Sequence, residues 1–311
     1  LKSTQIKEKN PIRMHSCRII FAPKKLKPII GILFLFISVC ATAQIKERNM
    51  ESERFNRGWE KLKEIDDEAG KKVIESLKEI SPDLGRFIIE YSFGDIYSRD
   101  GLDLKSKEIA VVAALTALGN ARPQLKVHLN GALNTGNSVD ELKEVVLQMS
   151  VYAGFPSAIN GMNALKEVLQ ERNQHGVSDN EGFEERKNAQ DRLQLGKQQL
   201  SAIAPGMVEQ LQSTYDGFAP ELTQFILEYG YGDIFSRENL DRKYRQIATI
   251  AALTALGNAL PQLKFHIRAG LNVGLSEESI KEIMLLMTVY SGFPSAINGM
   301  NALKEVLGEG K

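Results

Sequence analysis

The chain has 311 residues, enough for two domains at about 100–200 residues each. Its 39 basic and 39 acidic side chains give a formal net charge of zero, but residues 1–43 contain eight basic residues and one acidic residue. Residues 44–311 therefore carry a net charge of −7. This balance and the lack of a basic stripe argue against a nucleic-acid partner.

The N-terminal segment is typical of an export signal. Residues 24–43 combine a basic start, an apolar run at 29–39 and the small residues 41–43, which a signal peptidase accepts. The apolar run is shorter than the roughly 20 residues that a membrane-spanning helix needs. We predict that residues 1–43 form a signal peptide cleaved before Gln44, giving a periplasmic or secreted protein with no membrane attachment; a retained anchor is the alternative.

Both cysteines of the chain, Cys17 and Cys40, precede this cleavage site. The mature chain is therefore predicted to form no disulfide, although an exported compartment would permit one. It is also predicted to carry out no thiolate chemistry.

The rest of the chain is a tandem duplication. Residues 107–169 recur as residues 245–307 at a constant offset of 138, and the last sixteen residues of the two copies are identical. The repeated unit is longer than the roughly 20–50 residues of a solenoid repeat, so we predict two domains. The predicted boundaries are 56–169 for the first domain, 170–194 for a polar linker and 195–307 for the second domain.

Apolar residues recur at helical spacing in both domains. A helix is predicted around residues 82–97, Gly119-Asn120 is a helix stop signal, and Ser138 to Glu141 form a capping box. We find no alternating strand pattern. The predicted fold class is all-α, with about six helices in each domain.

The matched histidines His128 and His266 are the first candidates for chemistry. A lone histidine on an apolar helix is more often a core residue, but both repeats keep theirs in the same context, and histidine suits proton transfer near neutral pH. Glu108 lies on the apolar helix that comes before the helix of His128. A carboxylate there is either a paired site residue or an exposed residue in the first turn. The second repeat has Gln246 at this position. If Glu108 is a catalytic acid or base, only the first repeat has the complete set of catalytic residues.

Two further matched pairs could bind a ligand. Arg99 and Arg237 could each hold a substrate carboxylate bidentately, or pair with the aspartate four residues earlier. Tyr152 and Tyr290 could donate to a ligand, or pack at a helix end. No metal-ligand spacing and no phosphate-binding loop is present, so no metal or organic cofactor is predicted.

The ordered motifs of both repeats resemble the carboxymuconolactone decarboxylase family. Each repeat has an aromatic-Gly-Asp-Ile-aromatic-Ser-Arg segment, an Ala-Ala-Leu-Thr-Ala-Leu-Gly helix, the histidine, and Val-Tyr-x-Gly-Phe-Pro, in that order. The resemblance covers residues 59–169 and 197–307. It implies all-α, AhpD-like units that associate, commonly as rings of six, so that two fused units imply a trimer of this chain.

The resemblance also implies an activity, the cofactor-free loss of CO2 from a small carboxylated lactone or keto acid. His128 would be the proton donor, Glu108 its partner and Arg99 the carboxylate anchor. The alkylhydroperoxidase branch of the wider, peroxiredoxin-like superfamily has Cys-x-x-Cys before the histidine, where this chain has Ala121 and Gln124, so thiol peroxidase chemistry is excluded. The alternative from another class is a non-catalytic exported oligomer that binds a small anion or a partner protein.

Overall fold

A computed structural model describes residues 29–177, 179 and 191–308, with side chains from residue 53 onward. Residues 1–28 lie outside the described residues, and they include Cys17 and the basic start of the predicted export signal. The chain divides into the units Leu1–Met50 and Glu51–Lys311.

Both repeats lie in the second unit. Residue 178 and residues 180–190 of the predicted linker are outside the described part of the chain, and the predicted domain boundaries stay a prediction. Among residues 53–177, 179 and 191–308, no helix has the length and apolar character needed to cross a membrane.

The described residues form thirteen α-helices and two π-helices, and no strand occurs among them. The predicted all-α class is confirmed. In chain order the helices are α1 (Ile29–Leu77), α2 (Pro82–Phe87), π1 (Ile88–Tyr97), α3 (Leu104–Leu118), α4 (Arg122–Asn134), α5 (Val139–Tyr152), α6 (Gly154–Gln174), α7 (Arg192–Ile203), α8 (Met207–Tyr215), α9 (Pro220–Phe225), π2 (Ile226–Phe235), α10 (Arg242–Leu256), α11 (Leu260–Asn272), α12 (Glu277–Tyr290) and α13 (Gly292–Gly308).

Local signals set several of these boundaries. The side chain of Asp103 accepts a hydrogen bond from the Ser106 amide at the start of α3, and Gly119 ends this helix in the left-handed conformation, with φ of 69°. The predicted capping box of Ser138 and Glu141 is present at α5. The helix predicted over residues 82–97 is instead the short α2 followed by π1, a wider helix that apolar spacing alone does not distinguish.

A hydrophobic cluster runs through both repeats. Helices α3 and α10, which are equivalent in the two copies, pack directly against each other, and buried residues of both, such as Val112 and Ile250, belong to one continuous cluster. Helix α12 packs against π1 and α3, and α5 packs reciprocally against π2 and α10. The repeats are therefore arranged like the subunits of a two-fold dimer, with reciprocal contacts between equivalent surfaces.

Candidate functional site

The first centre contains the predicted histidine and carboxylate in direct contact. His128 on α4 places its Nδ1 atom 2.9 Å from Glu108 Oε2 on α3. The Glu108 side chain is fully buried, so it is not a solvated residue of the first turn, and the His128 side chain is 8% exposed. Because Nδ1 is held by the carboxylate, the ring is oriented, and its Nε2 atom has no hydrogen-bond partner among the described residues.

Two tyrosines from different repeats flank this imidazole. The ring of Tyr97, the last residue of π1, stacks 6.5 Å from the His128 ring, and Tyr290 of α12 contacts it edge-on at 5.0 Å. Their hydroxyl oxygens are 2.8 Å apart. Burial, and after it the charge of Glu108, raises the pKa of both tyrosines well above its ordinary value. Both hydroxyls therefore keep their protons at neutral pH.

A buried lysine fixes the position of Tyr97. Lys107, only 2% exposed, lies next to Glu108 on α3, and its Nζ atom donates to the carbonyl oxygens of Tyr97 at 2.8 Å and of Arg99 at 2.5 Å. These two bonds tie α3 to the end of π1. Burial lowers the pKa of Lys107.

The second centre has the same frame but different chemistry. His266 Nδ1 is 2.9 Å from Gln246 Oε1, and its Nε2 is 3.1 Å from the hydroxyl of Tyr152, which comes from the first repeat. Phe235 occupies the position equivalent to Tyr97, 6.3 Å from the imidazole. Burial lowers the pKa of His266 to about 3, so the ring is neutral. Both ring nitrogens are thus used within the protein.

The predicted arginines form ion pairs that cross between the repeats. Arg99 Nε is 2.9 Å from both carboxylate oxygens of Glu282, which is 2% exposed. Arg237 Nε is 2.6 Å from Glu144, which also pairs with the fully buried Arg245 at 2.9 Å. Each arginine therefore pairs with the opposite repeat. The pairing with the aspartate four residues earlier, one of the two alternatives that the sequence left open, is not found.

The structure brings some predicted site residues together and leaves others apart. His128, Glu108 and Tyr290 meet at the first centre, and His266 meets Tyr152 at the second. The guanidinium groups of the predicted arginines contact glutamates, and no hydrogen bond joins them to either histidine within the described residues. The catalytic and substrate-binding roles stay predictions.

Sequence reasoning missed Tyr97. The signal was present in the alignment of the two repeats, since Tyr97 stands against Phe235 in a segment that otherwise differs only at Phe93 and Tyr231. The difference sits two residues before the matched arginine, at the end of a helix. A hydroxyl gained or lost at such a position is a reason to examine its neighbours.

The described part of the chain holds no group of three or more His, Cys, Asp or Glu residues that could bind a metal ion. A cavity of about 550 Å³ lies beside α5 and α6, and its lining includes Lys143, Met162, Leu169 and Asp179. None of the predicted site residues lines this cavity.

Comparison with known proteins shows what the repeats are similar to. The chain matches the sequence profile of the carboxymuconolactone decarboxylase family twice, at residues 82–167 and 220–305. The 4-carboxymuconolactone decarboxylase of Acinetobacter baylyi is 36% identical over 84 residues, which are 27% of this chain and 62% of that protein. The nitrosuccinic acid decarboxylase of Metarhizium robertsii is 31% identical over 86 residues, which are 28% of this chain and 59% of that protein.

The matched segments thus span about three fifths of the length of these two relatives. A crystal structure from Burkholderia xenovorans, described as a candidate gamma-carboxymuconolactone decarboxylase subunit, has a TM-score of 0.48 and 21% identity. The similarity covers 76% of this chain and 91% of that one.

Proposed function

Because the chain belongs to the carboxymuconolactone decarboxylase family, we propose that it is a carboxy-lyase that removes CO2 from a small acid without a metal or organic cofactor. The two similar decarboxylases are named for a carboxylated lactone and for a nitro dicarboxylic acid. Both compounds join a carboxyl group to an electron-withdrawing group. The proposed substrate class is therefore a small carboxylated lactone, keto acid or nitro acid.

The reaction places two demands on the protein. When CO2 leaves, the C–C bond breaks and its electron pair stays on the substrate, where it delocalises onto an oxygen of the electron-withdrawing group. The site must stabilise that oxyanion and return one proton to the carbon. Hydrogen-bond donors and one proton-transfer group meet both demands.

His128 is proposed to supply the proton. Glu108 holds Nδ1 at 2.9 Å and so orients the ring, while Nε2 makes no hydrogen bond within the described residues and is the atom that would exchange the proton. The proposal rests on a difference between the two centres. His128 has one ring nitrogen without a hydrogen bond in the described part of the chain, whereas both ring nitrogens of His266 are hydrogen-bonded to protein side chains.

The first centre alone is therefore proposed to act, and the second to be structural. A carboxylate beside the imidazole is present only at the first centre, since Gln246 takes its place at the second. The chain would then have one active centre for each pair of repeats, built by residues of both.

The test is release of CO2 from 4-carboxymuconolactone and from nitrosuccinate by the full chain. His128→Gln and Glu108→Gln are expected to lower the rate by about 10²–10⁴-fold, the range for loss of a proton-transfer group. His266→Gln is expected to retain the wild-type rate if circular dichroism shows that it is folded. Equal losses for His128→Gln and His266→Gln would contradict a single active centre, and an unchanged rate for His128→Gln would refute the assignment.

Export and assembly into a trimer of this chain are part of the same proposal. Matched apolar side chains support association, since Phe155, Ile159, Phe293 and Ile297 are each 57–60% exposed. The same surface supports the alternative function, a non-catalytic exported oligomer that binds a partner protein or a small anion. No CO2 release from either acid, together with an oligomeric mass by light scattering, would favour the alternative.

A further inference from the structure

Two tyrosine hydroxyls lie together at the first centre. Tyr97 and Tyr290 are both protonated, because burial and the charge of Glu108 raise the pKa of each hydroxyl. Their oxygens are 2.8 Å apart, so one of the two protons lies in the hydrogen bond between them. Tyr97 is 1% exposed, whereas Tyr290 is partly accessible.

This hydrogen bond can run in either direction, and a second acceptor near Tyr97 is Glu108. Its Oε1 atom is buried and accepts no hydrogen bond from the described residues, although Oε2 is bonded to His128. When Tyr97 donates to Tyr290, the proton of Tyr290 has no acceptor in the described part of the chain. Unsatisfied polar groups in a buried site are filled by a ligand or by water.

We propose that Tyr290, held by Tyr97, binds an oxyanion at the first centre. This inference rests on the proposed function and assigns the group that would stabilise its intermediate. As CO2 leaves, the electron pair moves to a carbonyl or nitro oxygen, and Tyr290 donates a hydrogen bond to that oxygen without giving up its proton. His128 then returns a proton to the carbon. Donors aimed at developing charge in a buried site are effective because they need no reorganisation.

The second centre has no hydrogen-bonded pair of tyrosines among the described residues. Phe235 has no hydroxyl, and the hydroxyl of Tyr152 lies 3.1 Å from His266 Nε2, its hydrogen-bond partner. Tyr231, whose ring lies 5.2 Å from Phe235, carries a hydroxyl there, but no hydrogen bond joins it to Tyr152 or His266 within the described residues. An oxyanion is therefore expected to bind once per chain, at a site that needs residues of both repeats.

The probe is the nitronate anion of 3-nitropropanoate, the species that loss of CO2 from nitrosuccinate leaves, titrated into the full chain by calorimetry. Wild type is expected to bind one equivalent. Tyr290→Phe is expected to weaken binding by about tenfold or more, the effect of losing one hydrogen bond to a charged group. Tyr97→Phe removes only the hydroxyl that positions Tyr290 and is expected to weaken binding by less. Tyr97→Phe installs the residue that the second repeat carries at position 235, so the fold is expected to tolerate it. Tyr231→Phe, which installs the residue found at position 93, is the matched control and is expected to bind like wild type.

Each outcome is decisive. Absence of nitronate binding by wild type, or wild-type affinity in both Tyr97→Phe and Tyr290→Phe, would overturn the proposal, as would an equal loss in Tyr231→Phe. Release of CO2 is measured separately. Turnover that depends on His128 combined with unchanged nitronate affinity would reject the tyrosine assignment alone, whereas nitronate binding that depends on Tyr290 in a chain without turnover would reject the lyase and keep the oxyanion site.

Discussion

Acidification should weaken the fold through His266. Burial lowers its pKa from 6.5 to about 3. Between these values the unfolded chain binds a proton that the folded chain does not, so stability is complete above the unfolded pKa and falls as the pH falls through this window. At pH 4.5, two units below the unfolded pKa, the loss from this group is about 2.7 kcal/mol at 1.36 kcal/mol per unit.

The contacts of His266 explain why the neutral form is required. Nδ1 donates to Gln246 Oε1, and Nε2 accepts from the hydroxyl of Tyr152. Protonating Nε2 removes that acceptor and places a positive charge in a site that is 3% exposed. The proton is therefore taken up mainly as the chain unfolds.

The assay is urea unfolding of the full chain at pH 7.5 and pH 4.5, with wild type compared with His266→Gln. Acid is expected to destabilise wild type by about 2.7 kcal/mol more than the variant, since the other titrating groups are common to both. His175→Gln, a change at an exposed histidine after α6, is the control and should follow wild type. If His266→Gln loses as much stability on acidification as wild type, burial of the neutral imidazole is not the cause.

Two other predictions concern stability in urea at neutral pH. Arg99→Ala is expected to cost about 1–3 kcal/mol, less than a fully buried pair because Arg99 is partly exposed, whereas Arg237→Ala should cost less because its glutamate keeps Arg245. Arg99→Ala combined with Glu282→Gln should recover part of the loss, and equal costs for the two arginines would contradict this account. Gly131→Ala is expected to cost about 1–3 kcal/mol, because a Cβ there would lie 2.6 Å from Ile65 and 3.3 Å from the carboxylate of the first centre; an unchanged unfolding midpoint would show that these neighbours yield freely.

The sequence was sufficient for those features that depend on residues close along the chain. The capping box at Ser138 and the stop at Gly119 predicted helix boundaries that the structure has. His128 and Glu108 lie twenty residues apart on consecutive helices. The short turn between these helices brings the two side chains together. The all-α class follows from the same local periodicity.

The features that depend on packing between the repeats could not be predicted in this way. Arg99 pairs with Glu282, 183 residues away, and Tyr290 reaches a centre in the other repeat. Charge and spacing alone predict Asp95 as a nearer partner for Arg99, but Arg54 and Arg57 bind Asp95 instead. An internal pseudo-two-fold arrangement decides these contacts, and one copy of the unit carries no information about which face meets the other.

The fusion of the two repeats into one chain has a consequence for how the centres could diverge. In a dimer of identical subunits, every substitution appears at both centres at once, so Glu108 could not be kept at one while Gln246 stands at the other. A covalent link guarantees one copy of each half in every molecule. Selection can then adapt one repeat to bind a ligand, while the other repeat keeps only a structural role.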